Sequence, residues 1–131
     1  MSITIEISPG ELLDRITILS IKLRRLTDPQ KLAYAANELT RLQSVREATL
    51  QTDQDISTFL LELEVINEEI WLLTDEVYRR RARGTIDVAL AEVCLRAFER
   101  NGDRSEVKRK IDVSYGAAVR EVKNYGDPIE V

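Results

Sequence analysis

Residues 53–83 read DQDISTFLLELEVINEEIWLLTDEVYRRRAR, with no proline or glycine to interrupt them. Ile56, Leu63, Ile70 and Val77 recur every seven residues, interleaved with Phe59, Ile66 and Leu73 at the same interval, which is the pattern of a coiled-coil seam. At about 1.5 Å per residue the helix would run roughly 45 Å, longer than a lone compact domain of this size calls for. Such a helix needs cover along its length. These seven residues are therefore a candidate interface, and the chain a candidate homodimer.

Working outward, helix punctuation divides most of the remaining chain. Ser8, Pro9 and Glu11 place an N-cap, a proline at the first helical position and an acid at the third, a capping-box opening. The apolar positions Leu12, Ile16, Leu19, Leu23 and Leu26 then step by four, three, four and three. Asp28 and Pro29 repeat the start signal, and Leu32, Ala35, Leu39, Leu42 and Val45 carry a second helix to about Leu50, forming an antiparallel hairpin with the first. Thr52 and Asp53 cap the long third helix, which Gly84 ends. Thr85 caps a fourth helix with Ile86, Leu90, Val93, Cys94, Ala97 and Phe98, stopped by Asn101 and Gly102. Asp103 and Glu106 open a short fifth helix carrying Val107 and Ile111 and ending near Gly116. Ahead of them Ile3, Ile5 and Ile7 alternate with polar residues as in a half-buried strand, for which Val119–Tyr125 is the available partner within the chain. The expected class is mainly α: a helical hairpin, one long heptad-bearing helix, two shorter helices and a short N-terminal strand that pairs either with the C-terminal segment or with a second copy.

Composition bounds the function. The 131 residues suit one domain, 44% hydrophobic and 32% charged, with net charge −4 and pI near 5.0. No global positive field gathers nucleic acid or an anionic membrane. No apolar run is long enough to span a bilayer, and the N-terminus lacks the basic and apolar regions of a signal peptide. The single cysteine, Cys94, sits in an apolar helical pattern as a small core residue, and a reducing cytoplasmic setting is the expectation. The absence of histidine removes Ser-His-Asp and Cys-His catalysis and the usual zinc sites. No cofactor and no metal ligand set is expected, and no catalytic residue is assigned.

A family resemblance rests on particular residues. Ser8-Pro9-Gly10-Glu11-Leu12 followed by Asp14-Arg15-Ile16-Thr17-Ile18-Leu19 and Lys22, then Asn67 with Trp71, Asn101–Arg104 with Lys108-Arg109, and Glu121–Tyr125 together resemble a family of short bacterial and phage proteins whose domain has no known function. The opening has the form S-P-G-E-L-x-D-[KR]-I-T-I-L. The resemblance implies candidate residues rather than a chemistry. The chain departs from the pattern at Leu72 and Thr74, beside the retained Asp75, where the family places acids, and at Gly102, inside a usually tighter Asn-Asp turn; both departures argue against a metal site on that helix. Small helical Mg²⁺-dependent nucleotide pyrophosphohydrolases are similar in size, but their paired Glu-x-x-Glu ligands are missing.

Two constellations carry the candidate sites. Asn67, Trp71, Asp75 and Arg79 are spaced by four and share a helix face. They read either as a register-setting Asn, an interface Trp and a surface ion pair, or as a groove in which Trp71 stacks on a ligand oriented by Asn67 and Asp75, with Asp14, Arg15 and Lys22 from the first helix. Arg104, Lys108 and Arg109, like the arginines at the end of the third helix, read either as a solvated basic surface or as a phosphate site; the scarcity of neighbouring aromatics argues against single-stranded nucleic acid. The leading expectation is a non-catalytic interaction or scaffold module, self-associating or binding another protein through the Ile56 to Val77 seam. The alternative is a small-molecule or phosphate-ligand binder or enzyme using the Asn67, Trp71, Asp75 groove.

Overall fold

The computed structural model describes residues 1–51 and 53–117, and within them the chain forms four helices: α1 (Pro9–Arg25), α2 (Pro29–Thr49), α3 (Gln54–Ala82) and α4 (Val88–Ser114). Each begins on a side chain that satisfies an otherwise orphaned N–H. Ser8 Oγ accepts from Glu11 N–H at 3.1 Å, Asp28 Oδ1 from Gln30 at 3.2 Å, Asp53 Oδ1 from Ile56 at 2.9 Å and Asp87 Oδ1 from Leu90 at 2.9 Å. Pro9 and Pro29 supply the preset first turns of α1 and α2. α3 closes on Gly84 at φ 72° and α4 on Gly116 at φ 61°. At both ends the paired bonds of a Schellman motif satisfy the last carbonyls: Thr85 N–H to Arg80 O with Gly84 N–H to Arg81 O, and Ala117 N–H to Asp112 O with Gly116 N–H to Val113 O.

Three expectations are corrected. No strand exists among the described residues: Ile3 and Ile5 are exposed, and only Ile7 packs on the core. Period-two alternation makes a strand only where a second backbone completes the ladder. The expected partner, Val119–Tyr125, and the expected cap Thr52 lie outside the described residues. The fourth and fifth helices are a single helix, α4, running through Gly102, which keeps a helical conformation. A mid-helix glycine costs only about 1 kcal/mol relative to alanine, and packing along α3 outweighs it. Asp87, not Thr85, caps that helix.

The fold is two antiparallel hairpins, α1–α2 and α3–α4, with α1 packed against each of the other three helices. Leu12, Leu13, Ile16 and Leu19 of α1 meet Ala35 and Leu42 of α2, Ile56, Leu63 and Ile66 of α3, and Val107 and Ile111 of α4 in one core. The seam of α3 is thus covered within the chain over its first half: Ile56, Leu63 and Ile66 are buried, with Phe59 and Ile70 packed beside them. Toward the distal end the cover thins. No residue of α3 beyond Asn67, and none of α4 before Val107, is fully buried; Leu73 and Val77 of α3 and Leu90, Val93, Cys94 and Ala97 of α4 are half-buried in an arm of two helices.

Candidate functional site

The first turns of α1 lie across the C-terminal half of α4, and the contact is polar and buried. Gly10 N–H donates to Asp112 Oδ1 at 2.7 Å, placing a fully buried carboxylate at the positive end of the α1 dipole. Glycine is required there. A Cβ on Gly10 would collide with the Lys108 carbonyl oxygen and stand 2.8 Å from Asp112 Oδ1. One turn on, Lys108 Nζ donates to Glu11 Oε2 at 2.6 Å and lies 4.0 Å from Asp14 Oδ2. Asp14, with no exposed surface, accepts from Arg104 Nε at 2.9 Å, from Arg104 Nη2 at 2.5 Å and from Asn67 Nδ2 at 2.9 Å. One carboxylate therefore ties α1 to both α3 and α4.

The electrostatics follow from this pairing. Burial pushes the Glu11 carboxyl upward, but the hydrogen bonds from Lys108 and Arg15 outweigh it and hold the group below its usual value. Just past the last turn of α4, burial together with the nearby Asp53 carboxylate raises the Tyr115 hydroxyl, against the Arg46 guanidinium; that hydroxyl donates to Gln51 O at 2.7 Å and ties the α2–α3 connection to the end of α4.

Beyond Arg104 and Asn67 the surface opens into a groove of about 260 Å³. Ile18 and Ile21 of α1 with Ile70 of α3 line it, together with Trp71, Thr74, Asp75 and Tyr78. These α3 residues fall on successive turns of one face, as a spacing of three and four requires. Thr74 Oγ1 donates to Ile70 O at 2.7 Å and so holds its methyl and lone pairs in place.

Of the residues singled out from the sequence, Asp14, Asn67, Trp71, Asp75, Arg104 and Lys108 come together here. The others do not. Arg15 is exposed and pairs with Glu11 at 2.8 Å. Lys22 lies in a separate hollow between α1 and α2 with Leu19, Asp28 and Tyr34. Arg79 pairs with Glu76 rather than Asp75, and Arg109 with Glu106. Gly10, Asp112, Ile18, Ile21 and Tyr78 were not singled out as site residues. Asp112 follows Arg104 and Lys108 at four-residue steps on that helix, a spacing that could have found it. Among the described residues no group of three or more Asp, Glu, Cys or His could hold a metal ion, and no helix is long and apolar enough to cross a membrane.

A family model described as a family of unknown function, DUF6165, matches residues 3–131. No curated protein and no solved structure matches the chain.

Proposed function

The chain belongs to this family of unknown function, DUF6165, and from that premise we propose that it is a non-catalytic helical interaction module whose α3–α4 arm pairs with a second copy. One observation carries the reading. Val88, Ala91, Leu95, Phe98 and Gly102 step along α4 by three, four, three and four, a heptad stripe whose large members are 74%, 61% and 72% exposed at Val88, Leu95 and Phe98. The arm beneath is covered from one side only, since its interior residues Leu73, Val77, Leu90 and Val93 are half-buried. Two arms packed together would close a four-helix bundle and cover both.

A second copy suits this surface because an isologous contact must be complementary to itself. The arm carries both signs, with acids at Glu92 and Glu99 beside the stripe and exposed Arg79, Arg81 and Arg83 at the end of α3. Burying a large apolar side chain contributes about 1.5 to 3 kcal/mol. Six such residues, three from each copy, give roughly 9 to 18 kcal/mol as an upper bound, against an association cost of about 4 to 15 kcal/mol. A reversible, concentration-dependent dimer follows from that balance.

Light scattering over about a hundredfold concentration range tests it. The wild type should approach twice the chain mass, and Leu95→Asp/Phe98→Asp should remain a helical monomer. A wild type that stays monomeric at the highest concentration, or a double variant that still dimerises, sinks the proposal.

A further inference from the structure

We infer that the groove between α1 and α3 is a binding site for a small organic cation, an ammonium group carried on an apolar, preferably aromatic, stem. The inference is independent of the dimer, because the groove and the exposed α4 stripe lie on different faces.

Shape sets the size of the ligand. A hollow of about 260 Å³ lies just below the range of drug-sized pockets, so it suits a fragment-sized molecule rather than a nucleotide. Ile18, Ile21 and Ile70 offer an apolar floor for the stem. Trp71 and Tyr78 stand two helical turns apart on the same face of α3, with Asp75 between them. An aromatic, a carboxylate and a second aromatic in that order make a cation receptor, because ring faces and a carboxylate attract the same charge.

The charge balance selects cation over anion. Arg104 is the positive group lining the groove, but its Nε and Nη2 are both committed to Asp14 in a two-point ion pair. Lys108 is turned to Glu11. Asp75 by contrast forms no ion pair with another described residue, since Arg79 and Arg80 are both drawn to Glu76. Among the described residues the groove therefore presents a carboxylate with no ion-pair partner, Asp75, between two aromatic side chains. Its inner end is built in advance, since Asn67 and Arg104 are held by the buried Asp14.

Trp71 is the only tryptophan of the chain, which makes its fluorescence a local reporter. The full chain is titrated with benzyltrimethylammonium, and with benzyl alcohol and benzenesulfonate as neutral and anionic probes of similar size. Fragments of about ten heavy atoms bind in the millimolar range, about 1 mM. The cation should give a saturable change, the alcohol a weaker one and the sulfonate none. Asp75→Asn, at an exposed position, should keep its helicity and weaken the cation about tenfold. Equal binding of alcohol and cation, tighter binding of the sulfonate, an unaltered Asp75→Asn titration, or only linear collisional quenching by the cation would each overturn the inference.

Discussion

Asp14 and Arg104, 90 residues apart in sequence, meet through three hydrogen bonds, two from Nε and one from Nη2, on a carboxylate that has no exposed surface. The pair holds α1 at a fixed angle across α4. Its removal from one side is more costly than its removal from both, because the buried Asp14 carboxylate is left with only the Asn67 amide and Lys108, 4.0 Å away, to offset its charge. Arg104→Ala should destabilise the fold by about 3 to 5 kcal/mol, while adding Asp14→Leu to it should recover a large share. Urea unfolding measures both. A loss under about 1 kcal/mol for Arg104→Ala would show that water reaches Asp14 freely.

Two glycines on helices should respond with opposite signs. At Gly10 a methyl group would strike the backbone of Lys108 and the Asp112 carboxylate, so Gly10→Ala should cost about 1 to 3 kcal/mol in spite of alanine's better helix propensity. At Gly102 nothing stands within 4 Å of the added carbon, and Gly102→Ala should stabilise α4 by up to about 1 kcal/mol. Melting curves of the two variants should move in opposite directions. A rise in melting temperature for Gly10→Ala would show that the α1–α4 contact is looser than its geometry.

Glu11 links stability to pH. Burial raises its carboxyl, but the bonds from Lys108 and Arg15 lower it more, leaving the folded value below the reference of 4.5. A depressed carboxylate adds stability above its unfolded pKa and loses it as pH falls through the folded one. Glu11→Gln should therefore be less stable than wild type near neutral pH, by less than Arg104→Ala because Glu11 is partly solvated, and the gap should close on acidification below that reference value. Chemical unfolding at several pH values reads the difference directly. A gap that persists unchanged in acid would mean that packing of the side chain, not its charge, is what matters.

How much of this was legible in the sequence depends on how local each signal is. The starts of α1, α2 and α3 were readable because caps and prolines act within one turn. Gly102 misled for the same reason: its local cost is real, yet the helix is held from outside by packing along α3. Ile3, Ile5 and Ile7 show the converse, a local pattern that no second strand among the described residues fulfils. In the groove, the spacing of Asn67, Trp71 and Asp75 put them on one face, whereas Ile18 and Ile21 arrive there only through the crossing of α1 over α3, which no local pattern encodes. The opening Ser8 to Asp14 run has a structural account at nearly every position: a cap, a first-turn proline, a close approach and two ion pairs.

A heptad stripe says that a helix face is covered and leaves open by what, and Leu63 and Leu95 separate the cases. Leu63 lies in the middle of the stripe read from the sequence and has no exposed surface, being packed among α1 and α4 within the chain. Leu63→Ala should cost about 2 to 5 kcal/mol, and Leu63→Asp, which adds a buried charge without a counterion, should unfold the protein rather than dissociate it. Leu95 lies on the outward stripe of α4, where an aspartate remains hydrated, so Leu95→Asp should keep the wild-type circular dichroism and thermal unfolding midpoint of the monomer. Circular dichroism with light scattering on the two variants reads fold and mass together. A folded Leu63→Asp monomer would mean that the Ile56 to Val77 stripe faces a second chain after all, and the cover provided by α1 and α4 would have to be dispensable.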